Sequence, residues 1–250
     1  MKSKIYLNRS SFSRQASAIL AASAALAFAS AQAGTLVFSS AVPTFDGDDI
    51  TQLGFGPGAD GLNLATDASD NDNARYIAHD RPAQGQTFTV TTAGNIQSLT
   101  LKNIFGFFIA DSTPITVRLN TITGGTNLAL VASETVIVGT QSRAAGDYFT
   151  FSFTSPVAVS PGLYGFDFGA TGSGNYFAID GALQASYAGG SAYSSGPITG
   201  GKGNGVGDAT ATLRDTDRTF GVAFTAIPEP SSFALVLVGS LGLVGMRRRQ

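Results

Sequence analysis

The sequence contains no cysteine, no tryptophan, one histidine and two methionines in 250 residues. Without Cys there are no disulfide staples and no thiolate metal ligands. With His79 as the lone imidazole, metal sites built from several histidines are impossible, and a Ser-His-Asp triad would have to use it. Neither G-x-S-x-G nor H-E-x-x-H occurs, so enzymatic activity is not the expectation. The lack of Trp removes the broadest stacking surface a sugar site can use. Charge is sparse as well, at 13% of residues. Basic residues gather at the two ends, so residues 34–227 hold 8 basic against 16 acidic side chains, a net charge of −8. Nucleic acid is therefore not an expected partner, because its binding relies on Lys and Arg neutralising phosphates. The chain is rich instead in Gly (31) and Phe (18). That composition suits one large domain with a real core and argues against disorder.

The first 33 residues read as a cleavable export signal. Lys2, Lys4, Arg9 and Arg14 form a basic start with no acidic residue, and an Ala-rich apolar stretch carrying Ile19, Leu20, Leu26 and Phe28 follows. Ala31-Gln32-Ala33 then offers small side chains at the two positions where a signal peptidase admits nothing larger. Cleavage after Ala33 leaves Gly34 as the new N-terminus. No Arg-Arg pair precedes the apolar stretch, so a twin-arginine signal is not indicated.

The last 23 residues carry a second signal. Pro228-Glu229-Pro230 holds the backbone extended and accessible, since two prolines can continue neither helix nor ladder. An apolar run of 14 residues follows, opening at Phe233 and closing at Met246, and Arg247-Arg248-Arg249 comes after it. At ~1.5 Å per residue the run spans roughly 21 Å as a helix, short of a ~30 Å hydrocarbon core. The basic end suits retention on the cytoplasmic side. Together these three parts, in this order, resemble a PEP-CTERM sorting signal. The resemblance implies a transmembrane helix held transiently in the inner membrane and cut at or near Pro-Glu-Pro by an exosortase. It further implies a Gram-negative, exopolysaccharide-making host, with the product at the cell surface or outside the cell.

Between the signals the sequence alternates with period two. Phe149, Phe151 and Phe153 share one face of a strand whose other face is Thr150, Ser152 and Thr154. Similar alternation places Phe88 with Val90, Ile115 with Val117 and Leu119, and Leu99 with Leu101. It also groups Tyr164, Phe166 and Phe168, and Phe220, Val222 and Phe224. Turn residues separate these runs at Gly94-Asn95, Ser112-Thr113-Pro114, Gly124-Gly125, Gly146-Asp147 and Ser160-Pro161-Gly162. Residues 34–227 are thus expected to form an all-β, antiparallel β-sandwich, jelly-roll-like in topology. Gln86-Thr87-Phe88, the Gly162-Leu163-Tyr164 element after an apolar strand, and residues 186–193 also resemble, loosely, the β-sandwich domains found upstream of such tails. Two stretches read as loops: the acidic residues 46–80 and the Gly/Ser/Tyr-rich residues 186–207.

Two binding chemistries fit these loops. Calcium takes 6–8 oxygen ligands, and Asp46, Asp48, Asp67, Asp70 and Asp72 have the composition for it. The spacing is not that of an EF-hand, and the competing reading is a hydrated loop whose Asp and Asn cap turns. Tyr76, Tyr187 and Tyr193 lie in polar, Gly-rich surroundings and are candidate stacking platforms for a carbohydrate; the competing reading is a lid on the core. The expected function is that of a non-catalytic exopolysaccharide or biofilm matrix component, processed by signal peptidase and exosortase. The alternatives are a carbohydrate-binding module and a glycan-active enzyme, the latter resting on Asp pairs of the glycosidase kind.

Overall fold

The computed structural model describes residues 34–53, 75–77, 81–103, 112–141, 144, 146–170, 177–179, 181, 187–196 and 207–227. They form β1 (Thr35–Ser39), β2 (Ile50–Gln52), β3 (Arg75–Ile77), β4 (Ala83–Val90), β5 (Gly94–Lys102), β6 (Pro114–Thr123) and β7 (Asn127–Ile137). After these come β8 (Tyr148–Val159), β9 (Gly162–Ala170), β10 (Phe177–Ile179), β11 (Ala192–Ser195), β12 (Ala211–Leu213) and β13 (Phe220–Ala226). The fold is all-β. One sheet has the order β1-β8-β5-β13-β2, a second has the order β12-β11-β4-β9-β6-β7, and β10 pairs with β3. All the pairings are antiparallel. Among the described residues, no helix is long and apolar enough to cross a membrane.

The period-two pattern explains the layering. Leu36 and Phe38 of β1, Leu99 and Leu101 of β5, Phe149 and Phe151 of β8, and Phe220 and Val222 of β13 enter one buried cluster from the five-stranded sheet. Phe88 of β4, Ile115, Val117 and Leu119 of β6, and Tyr164, Phe166 and Phe168 of β9 meet them from the six-stranded sheet. Aromatic rings join the two layers: Phe149 meets Phe168 edge-on at 5.5 Å, and Phe166 lies 6.0 Å from Phe220. Each such ring contributes roughly 1.5–3 kcal/mol by leaving water.

Connections follow the turn chemistry. Gly124 and Gly125 take φ of 59° and 85° between β6 and β7, a left-handed geometry that side chains resist. Gly94 is not itself a turn residue but opens β5. Ser160 and Pro161 carry the chain from β8 in one sheet to β9 in the other. There the Tyr164 hydroxyl accepts from Ser160 N–H at 3.1 Å and donates to Ser160 C=O at 3.0 Å, pinning the corner.

Both stretches read as loops contain strands. β2 and β3 lie within residues 46–80, and β11 lies within residues 186–207. The short polar sequence Ala192-Tyr193-Ser194-Ser195 shows no apolar alternation, yet it is fully buried as an interior strand between β12 and β4.

Candidate functional site

Polar side chains concentrate on the outer face of the six-stranded sheet. The register sets Arg118 opposite Asp167, Asp167 opposite Gly85, and Gly85 opposite Tyr193, a line across β6, β9, β4 and β11. A Cβ at Gly85 would strike the Phe166 carbonyl and the Asp167 backbone, and Tyr193, in the next strand beyond, reaches across to Asp167. Gly165 makes room for it, since a Cβ there would stand 2.9 Å from the Tyr193 ring and 3.0 Å from Ile122. The Arg118 guanidinium grips Asp167 with both arms, Nε to Oδ1 at 2.8 Å and Nη2 to Oδ2 at 2.8 Å. Oδ2 also accepts from the Tyr193 hydroxyl at 2.9 Å, Asn120 Nδ2 at 3.2 Å and Ser195 Oγ at 3.2 Å. Arg118 donates further to Ser195 Oγ at 2.8 Å and to the Asp208 carbonyl at 3.1 Å.

The Arg118 side chain is 11% exposed and that of Asp167 1%. Burial is the largest influence on Arg118 and works against its charge. The hydrogen bond and charge of Asp167 more than reverse this, so its pKa lies above its ordinary value. Burial first, and then the Asp167 charge, hold the Tyr193 phenol well above 10.0. The Asp167 carboxylate is wrapped by five donors and closed to solvent. Chemically the cluster is a brace that ties β6, β9 and β11 together across β4.

A second cluster faces inward at the other side of β4. Gln86, on the same face as Phe88, donates to Asp217 Oδ1 at 3.0 Å and accepts from Arg218 N–H at 2.8 Å. Asp217 Oδ2 in turn accepts from Tyr187 N–H at 2.7 Å. Thus held, the Tyr187 ring meets Phe220 edge-on at 5.1 Å.

Two of the three candidate sugar platforms need correction; the side chain of the third, Tyr76, lies outside the described residues. Tyr193 is fully buried and bonded to Asp167, so it presents no face to a ligand. Tyr187 is half-buried over Phe220 and serves as a lid on the core. Burial raises its pKa, and the Asp217 charge adds to this. Tyr76 sits in β3, its backbone paired with Ala178 of β10.

The candidate calcium ligands are divided. Asp46 Oδ1 accepts from Asp48 N–H at 3.2 Å, while Asp49 Oδ2 accepts from Asp46 N–H at 2.8 Å. Asp49 Oδ1 accepts from Phe224 N–H at 2.7 Å, fastening this turn to β13. Here the acids cap backbone amides, as the competing reading has it. Asp67, Asp70 and Asp72 lie outside the described residues, as do His79, Ala31, Ala33 and residues 228–250. Among the described residues no group of three or more acidic or histidine side chains is placed to hold a metal ion.

Sequence reasoning passed over Arg118, Asn120, Asp167, Gln86 and Asp217. A signal for one of them was present: Asp167 stands between Phe166 and Phe168 in mid-strand. An acid there is unfavourable unless a neighbouring strand supplies a cation. No family model matches the chain, and no curated protein matches it.

Proposed function

We propose that this chain is an exported, exosortase-processed protein of the cell surface or extracellular matrix, whose jelly-roll-like body is structural rather than catalytic. The observation that carries the reading is the pairing of the two signals, Ala31-Gln32-Ala33 before the body and the Pro228–Arg249 tail after it. The geometry of the body's ends supports it. Gly34 is buried and hydrogen-bonded, and Ile227 N–H donates to Ala93 C=O at 2.9 Å, so pairing runs to the residues next to both cuts. The tail would anchor the chain in the inner membrane until exosortase cleavage. Strand order supports the jelly-roll description: β4, β9, β6 and β7 lie side by side in one sheet, while β8, β5, β13 and β2 do so in the other.

Intact-mass analysis of protein from the envelope and extracellular fractions of the native host is the test. The expected species begins at Gly34 and lacks residues 233–250; recovery of only the full-length C-terminus overturns the reading. A structural role is favoured over a carbohydrate-binding module by the burial of Tyr193 and the lid position of Tyr187. On a glycan array the mature protein is expected to bind nothing saturably. Saturable binding would reinstate the module, and release of a cleaved glycan would establish an enzyme.

A further inference from the structure

The edge strand β1 is fastened at its free side by two side chains from beyond the ladder. Gly34 N–H donates to Glu134 Oε2 at 2.7 Å. Gln141 Nε2 donates to Leu36 C=O at 2.8 Å, and Gln141 Oε1 accepts from Phe38 N–H at 3.1 Å. Glu134 belongs to β7, the edge of the opposite sheet, and its carboxylate also accepts from Thr154 N–H at 3.1 Å and Thr154 Oγ1 at 2.8 Å. It is one of two glutamates in the chain; the other is Glu229 of the tail. Position 34 admits only glycine, because a Cβ there would collide with the Ser152 carbonyl, the Phe151 ring and the Glu134 carboxylate.

We infer that Glu134 is the receptor for the α-ammonium group that signal-peptide removal creates at Gly34. The inference rests on the export reading above and adds a site to it. Before cleavage this nitrogen is a neutral amide with one hydrogen to give. Hydrolysis of the Ala33–Gly34 bond leaves the carboxylate on Ala33 and an amine on Gly34, which takes up a proton. The same atom, already 2.7 Å from Glu134 Oε2, then carries a positive charge and further donors. Processing thereby turns an ordinary hydrogen bond into an ion pair joining the edges of the two sheets. The Gly34 nitrogen donates to the Glu134 carboxylate of β7, and the Cβ position beside it faces the Ser152 carbonyl and Phe151 ring of β8, neither of which is ionisable. A carboxylate partner raises an α-amine above its ordinary range of about 7.7–8.0. Its contribution is complete below that range and is lost as pH rises through the folded value.

The experiment uses the processed chain recovered from an exporting host, alongside the Glu134→Gln variant exported in the same way. N-terminal sequencing comes first, followed by competitive acetylation of the Gly34 amine between about pH 7 and 9.5. The amine of the unaltered protein is expected to label roughly tenfold more slowly for each pKa unit gained, and E134Q is expected to remove the protection. Should E134Q fold poorly, the unaltered protein provides a second readout. Its urea midpoint is expected to fall across this pH range, and N-terminal acetylation is expected to abolish the fall. Protection or a pH-dependent midpoint that vanishes with the charge supports the inference. A Gly34 terminus that labels like an exposed amine overturns it and leaves the export reading standing. A terminus elsewhere overturns both.

Discussion

Asp167 shows what one residue contributes to this fold. Fully buried, it stays tolerable because Arg118, Tyr193, Asn120 and Ser195 all donate to it. Arg118→Ala leaves that charge without its cation, and a loss of about 3–5 kcal/mol is expected in urea denaturation. The double variant R118M/D167L is expected to recover only part of this: neither charge remains to be buried, but the Tyr193 hydroxyl, Asn120 amide and Ser195 hydroxyl lose their acceptor. Tyr193 adds a dependence on alkali. Its folded pKa lies well above the unfolded value of 10.0, so the folded state keeps a proton that the unfolded state releases. The stabilisation is complete below pH 10 and lost as pH rises toward the folded value. The urea midpoint of the unaltered protein should therefore fall above about pH 10 more steeply than that of Tyr193→Phe. Equal slopes would mean that the phenol is not what the alkali attacks.

At the scale of elements, legibility followed the apolar pattern. β8, β9 and β13 were plain because aromatic and apolar residues recur at every second position in each: Phe149, Phe151 and Phe153; Tyr164, Phe166 and Phe168; Phe220, Val222 and Phe224. β7 was not, since it is an edge strand and most of its side chains face water. Its ladder with β6 skips Val131, a bulge that bends the edge away from straight pairing. β11 was hidden because tyrosine and serine, satisfied by Asp167, Arg118 and Arg214, do the work that apolar residues do elsewhere. The brace itself depends on which strands become neighbours, and Arg118 and Asp167 are 49 residues apart in sequence. The corner between β8 and β9 was partly legible, as Gly162-Leu163-Tyr164, but the role of the hydroxyl was not. Tyr164→Phe deletes both bonds to Ser160, and a cost of about 1–3 kcal/mol is expected in thermal or urea unfolding. A neutral outcome would show that Pro161 and the ring suffice to hold the corner.

For the molecule as a whole, the order in which strands are made differs from the order in which they are needed. β13 is the last of the described strands, yet it lies inside its sheet, between β5 and β2. Phe220 in β13 meets Phe166 of one layer and Tyr187 of the lid. Deleting residues 220–227 should therefore abolish cooperative unfolding rather than trim an edge, a result that calorimetry would show directly. The placement also bears on passage through a membrane. A chain threaded N-terminus first carries β5 and β2 across with their shared partner still behind them. Pairings as distant as Phe220 with Gln52 are slow to close even once both segments are present. If the chain is exported as proposed, the body stays unfolded while it moves and locks only when β13 arrives. Such an arrival-triggered lock would leave an exported chain pliable in transit and rigid at its destination.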